Sequence, residues 1–413
     1  MLPEILQARL DRQAIGLRKR TLIHRQGVDL SSNDYLGFSQ DPILSERILD
    51  RLRDLPIGTA GSRLLRGNLK IHEEAETVLA DFSGRGAALL FPSGYQANLG
   101  LISAILGPGD QVFSDELNHA SLIDGIRLSR AEKFVYPHNN IEALRKALKE
   151  QSNQSASGLK VIITESLFSM NGDHAPLREL VCLAKEHSAL LLVDESHATG
   201  LWGSGSEAAV NSSKTMGAPP GGGGLVQSMG LSNQVFATVH TGGKSMGCGG
   251  AWIACDAALK NYLINFSRPF IFSTAPSPAL AVSLVESCKY WFEAGPERAQ
   301  KVHNFSSELR TRLQDLQNNF PNRLFIPSGT GPIIPVILKD NARALSASQL
   351  LQSAGYDVRA IRPPTVPEGT ARLRITANYL SANYLSANYT SEQSNFNLDH
   401  FINVLSDFVS SLR

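Results

Sequence analysis

The chain has 413 residues, a formal net charge of +1 and 42% apolar residues. A near-neutral balance gives no electrostatic case for nucleic acid or an acidic membrane surface, and no apolar run reaches the roughly 18–20 residues that a membrane span needs. Length and composition predict a soluble globular enzyme of one large and one small domain. Cys182, Cys248, Cys255 and Cys288 show neither metal-ligand spacing nor a disulfide framework, and the N-terminus lacks an apolar signal core. Both observations suit a cytoplasmic protein with no bound metal.

Residues 3–20 read as an amphipathic helix, with Ile5, Leu6, Leu10, Ile15 and Leu17 set among Arg and Asp. A short strand and a turn at residues 31–37 follow, then a Glu- and Ala-rich helix over residues 71–82. From residue 87 to 254 apolar strands alternate with helices, which predicts a mainly parallel sheet covered on both faces. The first unit, Ala87-Ala88-Leu89-Leu90-Phe91-Pro92-Ser93-Gly94-Tyr95, is a strand and a tight turn opening a helix. Its helix N-terminus offers backbone N–H groups and a favourable dipole to a phosphate. Tyr95 could cover a cofactor ring. An ordinary strand–helix turn would look the same.

The run Leu190-Leu191-Leu192-Val193 reads as a fully buried parallel strand, with Asp194 at its carboxyl end, where open α/β sheets bind ligands. A helix cap for Asp194 and a surface role for His197 remain open, and Asp-x-x-His has no companion cluster that would make a metal site. Residues 212–229 contain Pro219-Pro220-Gly221-Gly222-Gly223-Gly224, a density that predicts a flexible, exposed loop, either a lid or partner contact or, more simply, an inert surface insertion. The strand-like Gln234–Val239 run then leads into His240-Thr241-Gly242-Gly243-Lys244. A lysine among small residues after a buried strand can approach a cofactor closely. It is either a loop or phosphate-binding lysine, or one that forms a Schiff base with pyridoxal phosphate (PLP). In the PLP reading Asp194 holds the pyridinium N–H and His197 bonds the phenolic oxygen.

Beyond residue 280 long helical patterns give way to short strands at residues 333–337 and 371–375, a second, α+β domain. The expected partition is an N-terminal segment over 1–45, a large domain over 46–280 and a small one over 281–413. Ala377-Asn378-Tyr379-Leu380-Ser381 repeats as residues 382–386 and in part as 387–389, too short a period for a solenoid. Replication slippage explains it, and residues 377–386 are expected to be exposed and mobile. Leu398, Phe401, Ile402, Leu405, Val409 and Leu412 mark a final amphipathic helix.

The order of phosphate turn, strand-end Asp and later lysine resembles the α-oxoamine synthases, PLP enzymes of fold type I. Further landmarks carry the resemblance nearly end to end: Ser31-Ser32-Asn33-Asp34-Tyr35-Leu36-Gly37, Leu117-Asn118-His119-Ala120-Ser121, Thr164-Glu165-Ser166-Leu167-Phe168-Ser169-Met170 and Phe272-Ser273-Thr274. The stretch from Ile361-Arg362-Pro363-Pro364-Thr365 to Arg372-Leu373-Arg374 is most similar to the branch that condenses L-alanine with a pimeloyl thioester, from CoA or a carrier protein, in biotin biosynthesis.

The resemblance implies the fold type I PLP-dependent transferase architecture, with a seven-stranded, mainly parallel sheet and a smaller C-terminal domain. It implies that Lys244 binds the cofactor covalently and removes the amino acid's α-proton, with Asp194 on the pyridinium nitrogen, His197 on the phenolic oxygen and His119 stacked on the ring. Ser93, Gly94, Tyr95, Ser169 and Thr241 complete the cofactor contacts, and Thr274 reaches the phosphate of the neighbouring subunit of a homodimer. Arg374, helped by Asn33 and His119, holds the amino acid's carboxylate; Arg372 shares its face or serves only in a salt bridge. Arg18 and Thr365 match substrate positions, although Arg18 also lies in a basic run that reads as a solvated face. Glycine C-acetyltransferase and 5-aminolevulinate synthase use the same cofactor machinery and are the alternative activities; a non-catalytic partner subunit, of the kind that has lost the lysine, is disfavoured because Lys244, Asp194, His119 and His197 are all present.

Overall fold

The structure, a computed structural model, describes residues 2–24, 26–152, 158–203, 221–386 and 396–412. The chain forms two compact units, a larger one of Leu36–Ser169 and His174–Gln300 and a smaller one of Met1–Tyr35, Met170–Asp173 and Lys301–Arg413. These limits differ from the expected 45/46 and 280/281. One uninterrupted helix, Pro278–Asn319, runs through residue 280. At the other limit, the Phe38 ring packs 5.2 Å from Tyr290 and Leu36 O accepts from Arg298 at 3.0 Å, which ties residues 36–41 to the larger unit.

The larger unit is built on seven strands: β1 (Ala87–Phe91), β2 (Gln111–Asp115), β3 (Glu132–Tyr136), β4 (Lys160–Glu165), β5 (Leu190–Asp194), β6 (Ala237–Thr241) and β7 (Ala251–Cys255). Their order is β1-β7-β6-β5-β4-β2-β3. All neighbours are parallel except those of β7, which is antiparallel to both β1 and β6. The middle residues of the central strands β4 and β5 are apolar because helices cover both faces; Val161, Ile162, Ile163, Leu191 and Val193 are at most 1% exposed. The edge strand β3 instead exposes Glu132 and Lys133, charges that discourage further pairing. Since the parallel strands point the same way, the turns after β1, β2, β4, β5 and β6 all leave one edge of the sheet, where ligands of such sheets bind.

The smaller unit packs β8 (Ile333–Lys339), β10 (Arg359–Ile361) and β11 (Ala371–Thr376) into an antiparallel sheet of order β10-β11-β8, while Val28–Asp29 pairs in parallel with β9 (Tyr356–Asp357). Its core joins Val336 and Leu373 of the sheet to Leu309 and Leu313 of the long helix and to Phe401 and Leu405 of the last helix, Leu398–Ser411. Asn397 caps that last helix by accepting from His400 N–H at 2.9 Å.

Three expectations are corrected. The N-terminal helix runs only over Glu4–Ile15, and none of its residues is buried. It stops because Leu17 takes a left-handed conformation, φ 53°, and the N–H groups of Gly16 and Leu17 turn back to Arg12 O and Ala14 O. Of residues 212–229, the part up to 220 lies outside the described residues, and the rest is not an exposed loop. Gly221–Gly224 are buried, and Leu225–Ser228 form a buried helical turn. A Cβ on Gly222 would meet the rings of Phe82 and Trp291, each at 2.7 Å, so the glycines serve close packing rather than flexibility. Residues 377–383 are likewise not exposed. Ala377, Asn378 and Ser381 are fully buried, Ala382 nearly so, and Tyr379–Ser386 is a helix. The pentapeptide succeeds there because Asn378 Nδ2 and Ser381 Oγ both donate to Asp29 O, at 2.8 and 2.6 Å. Its third, partial copy lies outside the described residues.

Candidate active site

In the larger unit the predicted residues gather at the carboxyl edge of the sheet. Asp194 ends β5, is almost wholly buried, and accepts from Asn98 Nδ2 at 2.7 Å and from the Ser196 backbone N–H at 2.9 Å, one bond on each oxygen. Asn98, on the helix Gly94–Ile105, also donates to Ser121 Oγ at 2.9 Å. Ser121 in turn lies 2.8 Å from Nδ1 of His119, the residue that caps the helix Ala120–Ser129. A continuous polar chain therefore joins Asp194 to His119. Because His119 Nδ1 accepts from the Ser121 N–H at 3.2 Å, the ring proton sits on Nε2.

His119 is exposed at the surface yet has protein packed densely around its ring. Burial lowers its pKa; the Asp194 charge raises it and that of Lys244 lowers it further. The imidazole is neutral at pH 7, with the Tyr95 ring 6.4 Å away at 78°. Tyr95 is partly exposed and donates its hydroxyl to Asp124. Ser93 caps the helix Gly94–Ile105 by accepting from Gln96 N–H at 3.3 Å. The backbone N–H groups of Gly94 and Tyr95 have no acceptor among the described residues. A side chain begun at Gly94 would approach Thr241 Cβ at 3.8 Å and Ser196 Oγ at 3.9 Å, which places the ends of β5 and β6 beside that helix N-terminus.

Lys244 lies in the tight link between β6 and β7, which is closed by Gly242 N–H to Gly250 O at 2.8 Å and Gly247 N–H to Lys244 O at 2.9 Å. Gly247 has φ 66°, and a Cβ there would strike Ser39 N at 2.3 Å, so only glycine fits. His197 is buried in the turn after Asp194, and Ser169 is half-buried after β4. Thr274 is exposed on the segment after the helical turn Arg268–Ile271 and is not among these contacts.

Two acids in this region escaped the sequence reading. Glu165 ends β4 directly opposite Asp194. Burial pushes its carboxyl up to about 8, the Asp194 charge adds to the rise, and Lys244 and the Ser169 N–H oppose it. Glu195 is pushed up to about 7 by burial, against bonds from Ser166 Oγ and the N–H groups of Val226 and Leu225. Asn98 was also missed, since its partner stands 96 residues away and no local signal marks it.

In the smaller unit Arg374 on β11 donates to Asn33 Oδ1 at 2.9 Å and to Thr376 Oγ1 at 3.0 Å. Tyr35 donates to the same Asn33 oxygen at 3.2 Å; burial holds its phenol neutral, pushed up to about 12. Arg372 bonds Met170 O at 3.0 Å and Asn171 Oδ1 at 2.7 Å, anchoring the 170–173 segment, with the Asp173 charge favouring its ionised form. Arg18 pairs with Glu368, and Thr365 Oγ1 accepts from Arg20 at 2.7 Å.

Residues 25–386 match the family described as aminotransferase class I and II. The chain belongs to that family. An 8-amino-7-oxononanoate synthase of Lysinibacillus sphaericus is 38% identical over 346 residues, which span 84% of this chain and 82% of that protein. The structure is similar to a serine palmitoyltransferase of Sphingomonas wittichii, with a TM-score of 0.82 and 28% identity over 99% of this chain and 97% of that one. A structure of SPT with PLP matches equally well, at 0.82 and 27% identity over 99% and 98%. The residues of the larger unit fit that cofactor. The N–H groups of Gly94 and Tyr95 suit a phosphate, and each Asp194 oxygen keeps acceptor capacity for a pyridinium N–H. Among the described residues no cluster of His, Cys, Asp or Glu could hold a metal ion, and no helix is long and apolar enough to cross a membrane.

Proposed function

We propose that the chain catalyses the PLP-dependent, decarboxylative condensation of L-alanine with a pimeloyl thioester, giving 8-amino-7-oxononanoate, CO₂ and the free thiol. The observation that carries this reading is the Asp194–Asn98–Ser121–His119 chain with Lys244 acting on it electrostatically, in a sequence 38% identical to a protein named for that product. When bound, the cofactor supplies an electron sink for negative charge developing on the alanine α-carbon. Lys244 would hold it covalently and would serve as the base for the α-proton. Asp194 receives the pyridinium N–H and keeps it charged; the two donors already on its oxygens fix its orientation. His119, neutral and protonated on Nε2, would stack on the ring, with Nε2–H available to a substrate oxygen. Gly94 and Tyr95, with Ser93, Ser169 and Thr241, hold the phosphate and ring edge, and His197 the phenolic oxygen. Arg374, oriented by Asn33, holds the amino acid's carboxylate; Arg18 and Thr365 receive the acyl donor.

The active unit is a homodimer. Thr274 is exposed, and its neighbour Ala275 is tied to Gly61 O at 2.9 Å and to Thr59 Oγ1 at 3.0 Å. These joined segments bear Phe272, Ile57 and Leu65, all largely exposed, an apolar surface suited to a second copy.

The purified protein should be yellow, and borohydride reduction followed by peptide mapping should fix the cofactor to Lys244; a label elsewhere, or one unchanged in Lys244→Ala, overturns that assignment. An assay pairing alanine or glycine with pimeloyl, succinyl and acetyl thioesters should favour alanine with pimeloyl. Faster turnover of glycine with acetyl-CoA would overturn the substrate pair.

A further inference from the structure

The smaller unit contains a cleft of about 620 Å³ whose walls combine apolar surface from Leu17, Leu345, Ile361 and Pro363 with five cations, Arg18, Lys19, Arg20, Arg359 and Arg362. The anions set against these cations are few. Arg359 pairs with Asp357 and Arg18 with Glu368. Arg20 turns to the Thr365 hydroxyl, and Arg362 donates to the Leu17 carbonyl. Mutual repulsion is evident at Arg362, which burial and the Arg20 charge hold below the ordinary arginine range. Arg18 Nε is buried with no acceptor. An apolar channel with surplus positive charge suits an alkyl chain that ends in a carboxylate. Yet Arg18 already has an anion, and the two members of that pair are unequally placed. The Arg18 side chain is 33% exposed and that of Glu368 70%, so Glu368 reaches in from the solvent side and leaves at little cost.

We propose that Glu368 is an internal counter-ion which the distal carboxylate of the acyl donor displaces from Arg18, and that it thereby sets how strongly the enzyme prefers an ω-carboxyl acyl chain over a plain one. This rests on the reading that Arg18 receives the acyl donor. The distal carboxylate gains Arg18 only by giving Glu368 back to water, so the native pair weakens selection for the charged chain. A neutral amide at position 368 removes the competitor and leaves the cations as they are.

The test compares wild type with Glu368→Gln as holoenzymes, using pimeloyl and heptanoyl thioesters, which differ only in the distal carboxylate. The ratio of kcat/KM for pimeloyl over heptanoyl should rise about two- to fivefold, the scale of a partly exposed ion pair, through a lower KM for the pimeloyl donor. Calorimetry with free pimelate should show tighter binding by a similar factor, and both effects should vanish in an Arg18→Ala background. An unchanged or lower ratio would mean that Glu368 positions Arg18 or has no part in selection, and overturns the inference while the substrate reading stands. Failure of the wild-type protein to turn over the pimeloyl donor overturns the substrate reading instead. In that case pimelate calorimetry still decides whether Glu368 competes for Arg18: equal affinity in the two proteins overturns the inference.

Discussion

Glu165 shows how a single buried acid can reshape the pH response. Its unfolded-state value is the ordinary 4.5, and burial beside Asp194 lifts it to about 8. The folded chain thus keeps a proton that the unfolded chain has lost, so Glu165 costs stability progressively as pH rises from 4.5 to 8 and no further above it. Glu165→Gln, neutral throughout, removes that loss. Denaturant unfolding of the two proteins at pH 5 and pH 8 should show the variant gaining on wild type at the higher pH, by at most about 1.4 kcal/mol per pH unit traversed. Parallel curves would mean that Glu165 is ionised in the fold and that Lys244 outweighs burial. Nothing in the sequence singled out this glutamate. Its neighbours in the Thr164–Met170 motif carried only a family resemblance, and its effect depends on Asp194, which becomes adjacent only when β4 pairs with β5. Asp194 and Lys244 were legible because Asp194 closes an apolar strand and Lys244 comes shortly after one, so local sequence already places them at the sheet's carboxyl edge; His119 was legible only through its Leu117–Ser121 motif and the family resemblance.

At the scale of elements, alternation of apolar runs with helices was enough to read the parallel sheet, since burial on both faces leaves strands that are apolar throughout. Two segments misled because the same residue types serve opposite purposes. Glycine at residues 221–224 signals freedom in an open loop and close approach in a packed one; only the rings of Phe82 and Trp291 decide which. The pentapeptide repeat carries no strong hydrophobic period, and its burial depends on the Asp29 carbonyl far away in sequence. The repeat has a consequence of its own. After residue 386 the chain continues Ala387-Asn388-Tyr389-Thr390-Ser391. Deleting residues 377–386 therefore returns an Asn and a Ser to the two anchor positions. That deletion should leave stability within about 1 kcal/mol, because loop length has a small entropic effect. Asn378→Ala with Ser381→Ala should instead cost about 1–3 kcal/mol by leaving Asp29 O without its donors. Thermal unfolding of the three proteins decides it. A deletion as damaging as the double substitution would show that the anchors do not re-form.

For the molecule as a whole, mixing of subunits measures how many chains make one site. Thr274 was assigned to a neighbouring subunit's phosphate by resemblance alone, and in the structure it is exposed, as are the apolar side chains of Phe272, Ile57 and Leu65. A threonine placed to serve its own subunit would be expected among the Gly94–Thr241 contacts, where it is not found. Two-fold symmetry makes the alternative quantitative, because each partner offers the same surface and each site draws on both chains. Lys244→Ala and Thr274→Ala subunits, each inactive or nearly so alone, should complement when mixed. In a mixed dimer one site carries both defects and the other carries neither. Random exchange of equal amounts makes half the dimers mixed, so about a quarter of wild-type activity should return. The Thr274→Ala protein should also show weaker cofactor retention, with the absorbance of bound cofactor recovering in the mixture. If subunit exchange is demonstrated by mass and no activity returns, Thr274 serves its own chain or none, and a shared site is excluded.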